Sequence, residues 1–255
     1  MSFNITLAGD SSLNVVLSSV ISDDASRLVR AAADAIEAAD IPGVTELVPT
    51  FCSVMICYDP LLIGYADLAQ RVSEQLSQLS LGHEAARRVI EIPVCYGGDF
   101  GPDIATVMEH SGLTEEELVA LHSGHDYLIN MLGFLPGFAY LGGLDERLHT
   151  PRLDSPRTTI PAGSVGIGGA QTGIYPLASP GGWQLIGRTP VRPYDADRER
   201  PILYEAGDYL RFVPISKEDY VRIEAAVADG SYECRVHLEG TAEEGSCAIY
   251  EGEVR

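Results

Sequence analysis

Between residues 121 and 190 the chain gathers the side chains best suited to hold a small polar ligand of negative charge. Arg152 and Arg157 lie five apart, and each follows a proline that restrains the backbone before it. Paired guanidinium groups held in this way can grip a carboxylate or phosphate through bidentate bonds. Arg188 is a third candidate for anion contact. Tyr175 and Gln184 add neutral donors, and Phe138, Tyr140 and Trp183 can wall an apolar pocket. Two residues stand as catalytic candidates. His122 is the candidate for proton transfer, beside the plainer reading of it as a capping or core histidine, and Gln171 is a further neutral donor.

Other chemistries lack their residues. Lys217 is the sole lysine beside sixteen arginines, and it lies in Ile215-Ser-Lys-Glu-Asp219 rather than in a Gly-Lys-Ser/Thr phosphate loop. Ser216 and Asp219 read as a helix start, which makes Lys217 a solvated surface residue. A pyridoxal Schiff base or a biotin attachment would have to use that one lysine. His83-Glu-Ala-Ala-Arg87 lacks the second histidine of a zinc-protease helix. Ala162-Gly-Ser-Val-Gly166 lacks the first glycine of a nucleophile elbow, and Gly166-Ile-Gly-Gly-Ala-Gln171 lacks the last glycine of a dinucleotide loop. His122 and His125 have no further Cys or His grouped with them, so no metal is expected. The five cysteines form no Cys-x-x-Cys pair, Met1–Asp10 carries no secretory signal, and no apolar run has membrane length. A reduced, cytoplasmic protein that spans no membrane is the expectation.

Charge sharpens the location of the site. With 37 Asp+Glu against 17 Lys+Arg the net charge is −20, which argues against nucleic acid and anionic lipid as partners. The acid is not spread evenly. Residues 1–88 carry 11 acidic and 5 basic residues, 89–120 carry 7 and 0, and 191–255 carry 15 and 8, but 121–190 carry 4 and 4. An anionic ligand is repelled least in that neutral stretch.

Two kinds of element must position these residues. Strand signals at Phe3–Leu7, Leu13–Leu17, Thr45–Val48 and Val54–Tyr58 alternate with two helical patterns. The first helix opens at Ser22 and keeps Ala25, Leu28, Val29, Ala32, Ile36 and Ala39 on one face; the second covers about Tyr65–Leu79. With Arg88–Val94 as a closing strand, residues 1–95 read as a small α/β domain. Beyond a turn-rich link, Thr114-Glu-Glu-Glu117 is a capping box for a helix to about Leu121. Residues 121–190 then hold 13 of the 26 glycines and 7 of the 15 prolines, with short β-type runs between them. Residues 96–255 therefore read as an irregular β-barrel domain, with a late strand at Tyr209–Pro214, a helix at Lys217–Asp229 and a loosely held acidic tail after Leu238. Most of the glycines in it read as turn formers.

The same segments resemble a known family, the one that includes the PxpB-like subunit of 5-oxoprolinase, the kinase inhibitor KipI and allophanate hydrolase subunit 1. The resemblance rests on Gly133-Phe-Leu-Pro-Gly-Phe138, Tyr140-Leu-Gly-Gly-Leu144, Pro151-Arg152, Pro156-Arg157, Pro161-Ala-Gly-Ser-Val165, Gln171-Thr-Gly-Ile-Tyr-Pro176 and Pro180-Gly-Gly-Trp-Gln-Leu-Ile-Gly-Arg-Thr-Pro190. Tyr96-Gly-Gly-Asp-Phe-Gly-Pro-Asp103 and Phe212-Val-Pro-Ile-Ser216 also fit it. It implies an α+β fold, a small N-terminal α/β domain followed by a cyclophilin-like β-barrel. It further implies a non-autonomous subunit of an ATP-dependent lactam hydrolase that opens 5-oxo-L-proline to L-glutamate. The implied partners are a second cyclophilin-like subunit, of the KipA kind, and a LamB-type subunit, with ATP bound here or on a partner. A lactam is a poor electrophile, so ATP can serve by phosphorylating its carbonyl oxygen and exposing the carbon to water. The alternatives implied are an inhibitor docking on a sensor histidine kinase, and a carboxyltransferase subunit of allophanate hydrolase or urea carboxylase type.

Overall fold

The computed structural model describes residues 3–79 and 87–240. The chain forms two compact units that divide after residue 84. In the first, β1 (Asn4–Leu7), β2 (Ser12–Val16), β3 (Val44–Pro49) and β4 (Ser53–Tyr58) make an antiparallel sheet of order β1-β2-β4-β3. Leu13 and Val15 of β2 alternate with half-exposed residues, as do Val54, Ile56 and Tyr58 of β4, so one face of the sheet is apolar. Helices α1 (Asp23–Ala38) and α2 (Tyr65–Ser77) contribute the rest of this core. Val29, Ala32 and Ile36 of α1 join Leu68, Val72 and Leu76 of α2 in it, each set at helical spacing. Ser22 caps α1 by accepting the Ala25 N–H, as the sequence pattern predicts.

The second unit is built on β5 (Arg87–Tyr96), the longest strand among the described residues. The sequence pattern assigns this strand to the N-terminal domain, yet its pairing is with later strands. It runs parallel to β13 (Tyr209–Pro214) and antiparallel to both β12 (Gln184–Arg188) and β14 (Val236–Glu239). Its near-continuous burial reflects that central place. The sheet continues through β6 (Asp126–Leu132) and β7 (Ala139–Leu141) on one side, and through β9 (Ser164–Gly168) and β10 (Gln171–Ile174) on the other. Its two ends, β7 and β10, meet in space, so the sheet nearly closes into a barrel. This is the α+β architecture with a barrel that the resemblance implies. A separate ribbon pairs β8 (Arg157–Ile160) with β11 (Ser179–Gly181).

Among the described residues, three α-helices flank the barrel. α4 (Glu115–Ser123) opens on the Thr114–Glu117 capping box and α5 (Lys217–Ala228) on a Ser216 cap, as predicted. α3 (Ile104–Ser111) was not apparent in the sequence, because Ile, Thr and Val give it weak propensity. It is held by Ile104 and Val107, buried in the barrel core with Ile90, Ile92, Tyr127, Ile129 and Phe212. No helix among the described residues is long and apolar enough to cross a membrane. The acidic tail falls almost wholly after residue 240, outside the described residues.

Candidate functional site

The β9–β10 hairpin has two unlike faces. Val165, Ile167 and Ile174 point to the barrel core, and the residues alternating with them on the other face are Gly166, Gly168 and Gly173. The register sets Gly166 opposite Gly173, so the three glycines form one flat floor. Trp183 lies on it. A Cβ added at Gly168 would come within 2.3 Å of the indole Cδ1 and Nε1, one at Gly173 within 3.2 Å of Cζ3, and one at Gly166 within 3.3 Å of the Trp183 Cβ. Most glycines of this segment read as turn formers from the sequence; at these three the missing side chains admit an aromatic ring.

Around the indole stand the other aromatic candidates. Phe138 meets Trp183 edge to face at 5.6 Å and Tyr175 meets it at 5.9 Å. Tyr140 and Phe134 each contact Phe138 in the same way, at 5.2 and 5.5 Å. Phe134, Phe138, Tyr140, Arg152, Tyr175, Gly181, Gly182 and Trp183 enclose a cavity of about 140 Å³. Such edge-to-face packing fixes the walls in place. Five of the ten residues singled out from the sequence thus converge on one space.

Arg152 is held over this cavity by its neighbours rather than by its own side chain. Gln184 Nε2 donates to the carbonyl of Pro151 at 3.0 Å, and the Leu153 N–H donates to the carbonyl of Gly182 at 2.6 Å. The residues flanking Trp183 therefore clamp the residues flanking Arg152, and the guanidinium carbon sits 5.8 Å from the indole centroid. Burial raises the Tyr175 hydroxyl pKa, against the opposing pull of the Trp183 N–H, Arg152 and Arg157. The phenol stays protonated, so its hydroxyl can donate to a ligand.

The remaining candidates lie outside the cavity wall. Arg157 donates to Asp103 Oδ1 at 2.7 Å, while Asp103 Oδ2 accepts the Leu185 N–H at 2.7 Å. This ties β8 to β12 ahead of α3. Arg157 Nη1 is buried with no protein partner. Gln184 is buried at its work on Pro151, Gln171 is half-buried on β10, and Arg188 pairs across β12 to Ser164 and Cys95.

His122 is fully buried on α4. Its Nε2–H donates to Thr172 Oγ1 at 2.8 Å, because that hydroxyl spends its own proton on the carbonyl of Gly166. Its Nδ1 accepts the Tyr96 hydroxyl at 2.8 Å. The ring stacks on Phe212 at 4.5 Å, and burial with nearby His125 lowers its pKa to about 3. It is a neutral imidazole with both nitrogens engaged.

A larger cavity of about 390 Å³ lies elsewhere, bounded by Cys95–Phe100, Ile215 and Lys217. Asp99 and Lys217 both line it, and it lacks the convergence of neutral donors and aromatic walls seen around Trp183. The aromatic cavity is the better candidate on chemistry, not size. No group of three or more His, Cys, Asp or Glu among the described residues is placed to hold a metal ion. Sequence reasoning overlooked Phe134, Asp103 and the glycine floor. The floor had a signal: Val-Gly-Ile-Gly and Thr-Gly-Ile place glycine at every second position, the period of one strand face.

Residues 3–204 match the family model described as carboxyltransferase domain, subdomain C and D. A 5-oxoprolinase subunit of Bacillus subtilis is 42% identical over 229 residues, covering 86% of this chain and 95% of that protein. The crystal structure of TTHA0988 superposes with a TM-score of 0.71 at 36% identity, covering 80% of this chain and 40% of that one, so this chain spans well under half of that relative. The Kluyveromyces lactis urea amidolyase superposes with a TM-score of 0.78 at 19% identity, covering 92% of this chain and 16% of that one, a likeness of fold alone. The chain belongs to the family of carboxyltransferase subdomains C and D, and within it is similar over most of its length to the Bacillus subtilis 5-oxoprolinase subunit.

Proposed function

We propose that this chain is the subunit of an ATP-dependent 5-oxoprolinase complex that holds 5-oxo-L-proline while its lactam is opened to L-glutamate. The observation that carries the reading is the aromatic cavity of about 140 Å³ with one clamped arginine at its edge. That volume is well below the ~300–1,000 Å³ of sites for drug-sized ligands, and it suits a five-membered ring bearing one carboxylate. Phe138, Tyr140 and Trp183 enclose the ring and exclude water. Arg152 takes the carboxylate, and the protonated Tyr175 donates to the ring amide. The likeness to the Bacillus subtilis 5-oxoprolinase subunit supports the same substrate.

ATP, which this reaction consumes, does not fit the cavity. A nucleoside triphosphate is several times larger, and the cavity offers its phosphates a single guanidinium. In this reading ATP binding falls to other subunits, a second cyclophilin-like chain and a LamB-type chain, and this chain alone hydrolyses nothing. Arg157, paired with Asp103, and Arg188 shape the surroundings without touching the ring.

Reconstitution with those two partners tests the proposal. The complex should release glutamate from 5-oxoproline only with ATP and with all three chains present. Full-rate hydrolysis by this chain alone would overturn the subunit role. Tight binding of a histidine-kinase helical hairpin, with no turnover in the complete mixture, would favour the inhibitor reading.

A further inference from the structure

The cavity has a floor whose height is set by residues that never touch the ligand. Gly168 lies directly beneath the pyrrole edge of Trp183, at a separation no Cβ can occupy, and Gly173 lies beneath the six-membered edge. Trp183 is almost fully buried although it bounds the cavity: hairpin backbone lies against one face of the indole, and Phe138 and Tyr175 pack on it edge to face. The opposite face of the same hairpin is locked in the barrel core by Val165, Ile167 and Ile174, so the floor cannot sink to admit a larger group. Leu153 and Gln184 tie the segment carrying Arg152 to the residues on either side of Trp183. Ring depth and the position of the anion-binding arginine are therefore set by one object.

We propose that Gly168 is a specificity-determining residue: by letting Trp183 lie flat on β9, it sets the cavity depth and with it the ring size of the lactam acid that reaches Arg152. This rests on the substrate reading above. A single added methyl at Gly168 would push the indole into the cavity, where one methylene of misfit is worth ~10–200-fold in selectivity.

Trp183 is the chain's only tryptophan, so its emission reports on this movement in the isolated protein, apart from any activity. Gly168→Ala should shift that emission and, in the reconstituted complex, raise KM for 5-oxoproline by about tenfold or more with kcat less affected. Trp183→Phe on the Gly168→Ala background should restore KM by making room for the methyl. Trp183→Phe alone should admit the six-membered lactam homologue that the native complex rejects. Unchanged emission in Gly168→Ala, or shifted emission with unchanged KM, would overturn the inference. So would failure of Trp183→Phe to widen ring selectivity, a result that needs no change at the glycine. A wild-type complex that ignores 5-oxoproline would overturn the substrate reading instead, and the emission of Gly168→Ala would still decide whether Gly168 sets the floor.

Discussion

Two polar groups in the barrel domain look alike in sequence and behave as opposites in space. His122 is wholly buried, and every hydrogen-bonding atom around it is matched: Tyr96 to Nδ1, Nε2 to Thr172, Thr172 to Gly166. Arg152 is exposed, held in place through its backbone neighbours, with its guanidinium meeting an aromatic face and no carboxylate among the described residues. A saturated group has nothing left to offer a ligand, whereas a positioned and unsaturated one does. The difference separates a saturated core residue from one with donors to spare more sharply than residue type can.

The largest effect should come from breaking the unsaturated side. Arg152→Ala in the reconstituted complex should lower kcat/KM for 5-oxoproline by about 100-fold, the worth of a charge-assisted hydrogen-bonded pair. Arg152→Lys should recover only part of it, since an ammonium cannot present the same fork. Neither change should move the urea midpoint by more than a few tenths of a molar, because the side chain is exposed. Equal losses in stability and turnover would erase the contrast.

The saturated side should fail in the opposite manner. A His122 pKa of about 3 in the folded chain, against about 6.5 when unfolded, means that unfolding takes up a proton between those values. Its contribution is present above pH ~6.5 and is lost as pH falls toward 3. Between pH 7 and pH 5 the native chain should therefore lose about 2 kcal/mol that His122→Gln does not lose, read as the difference between two urea-unfolding series. A variant with the same pH slope as the native chain would show that the imidazole is not held neutral.

A third variant lies between the two. Asp103 joins Arg157 to the Leu185 N–H, and both partners are partly shielded from water. Asp103→Asn keeps an acceptor for the backbone but removes the charge, and should cost about 1 kcal/mol in urea unfolding, less at high salt. A cost unaffected by salt would assign the residue to hydrogen bonding alone.

How far the sequence reaches follows the same division. The N-terminal sheet and helices were legible because their apolar periods are local and their caps conform to type, as at Ser22. The long strand β5 was seen as a strand but assigned to the wrong neighbours, since parallel pairing with β13 joins residues 120 positions apart, as in Tyr209 opposite Val89. α3 escaped because packing of Ile104 and Val107, not propensity, holds it. In the site, aromatic and arginine types were enough to gather Phe138, Tyr140, Arg152, Tyr175 and Trp183. They were not enough to tell Arg152 from Arg157, whose difference is only that Asp103, 54 residues upstream, reaches one of them.

The smallest effect is the most discriminating, because it carries two signs. Phe134 has φ 65°, a left-handed backbone that a residue with a large side chain rarely adopts. It sits at the centre of a three-residue turn closed by the Leu135 N–H on the carbonyl of Gly133 at 2.7 Å. Its ring is 64% exposed while it also lines the cavity. Strain and exposure together disfavour the free protein. Phe134→Gly relieves the strain but loosens the unfolded chain, leaving a net gain of at most about 1 kcal/mol in stability. The same change should raise KM for 5-oxoproline a fewfold by removing one wall of the cavity. Stability up and affinity down would align Phe134 with Arg152, as a residue positioned for a ligand. Stability down with KM unchanged would align it with His122, as one more part of the packed frame.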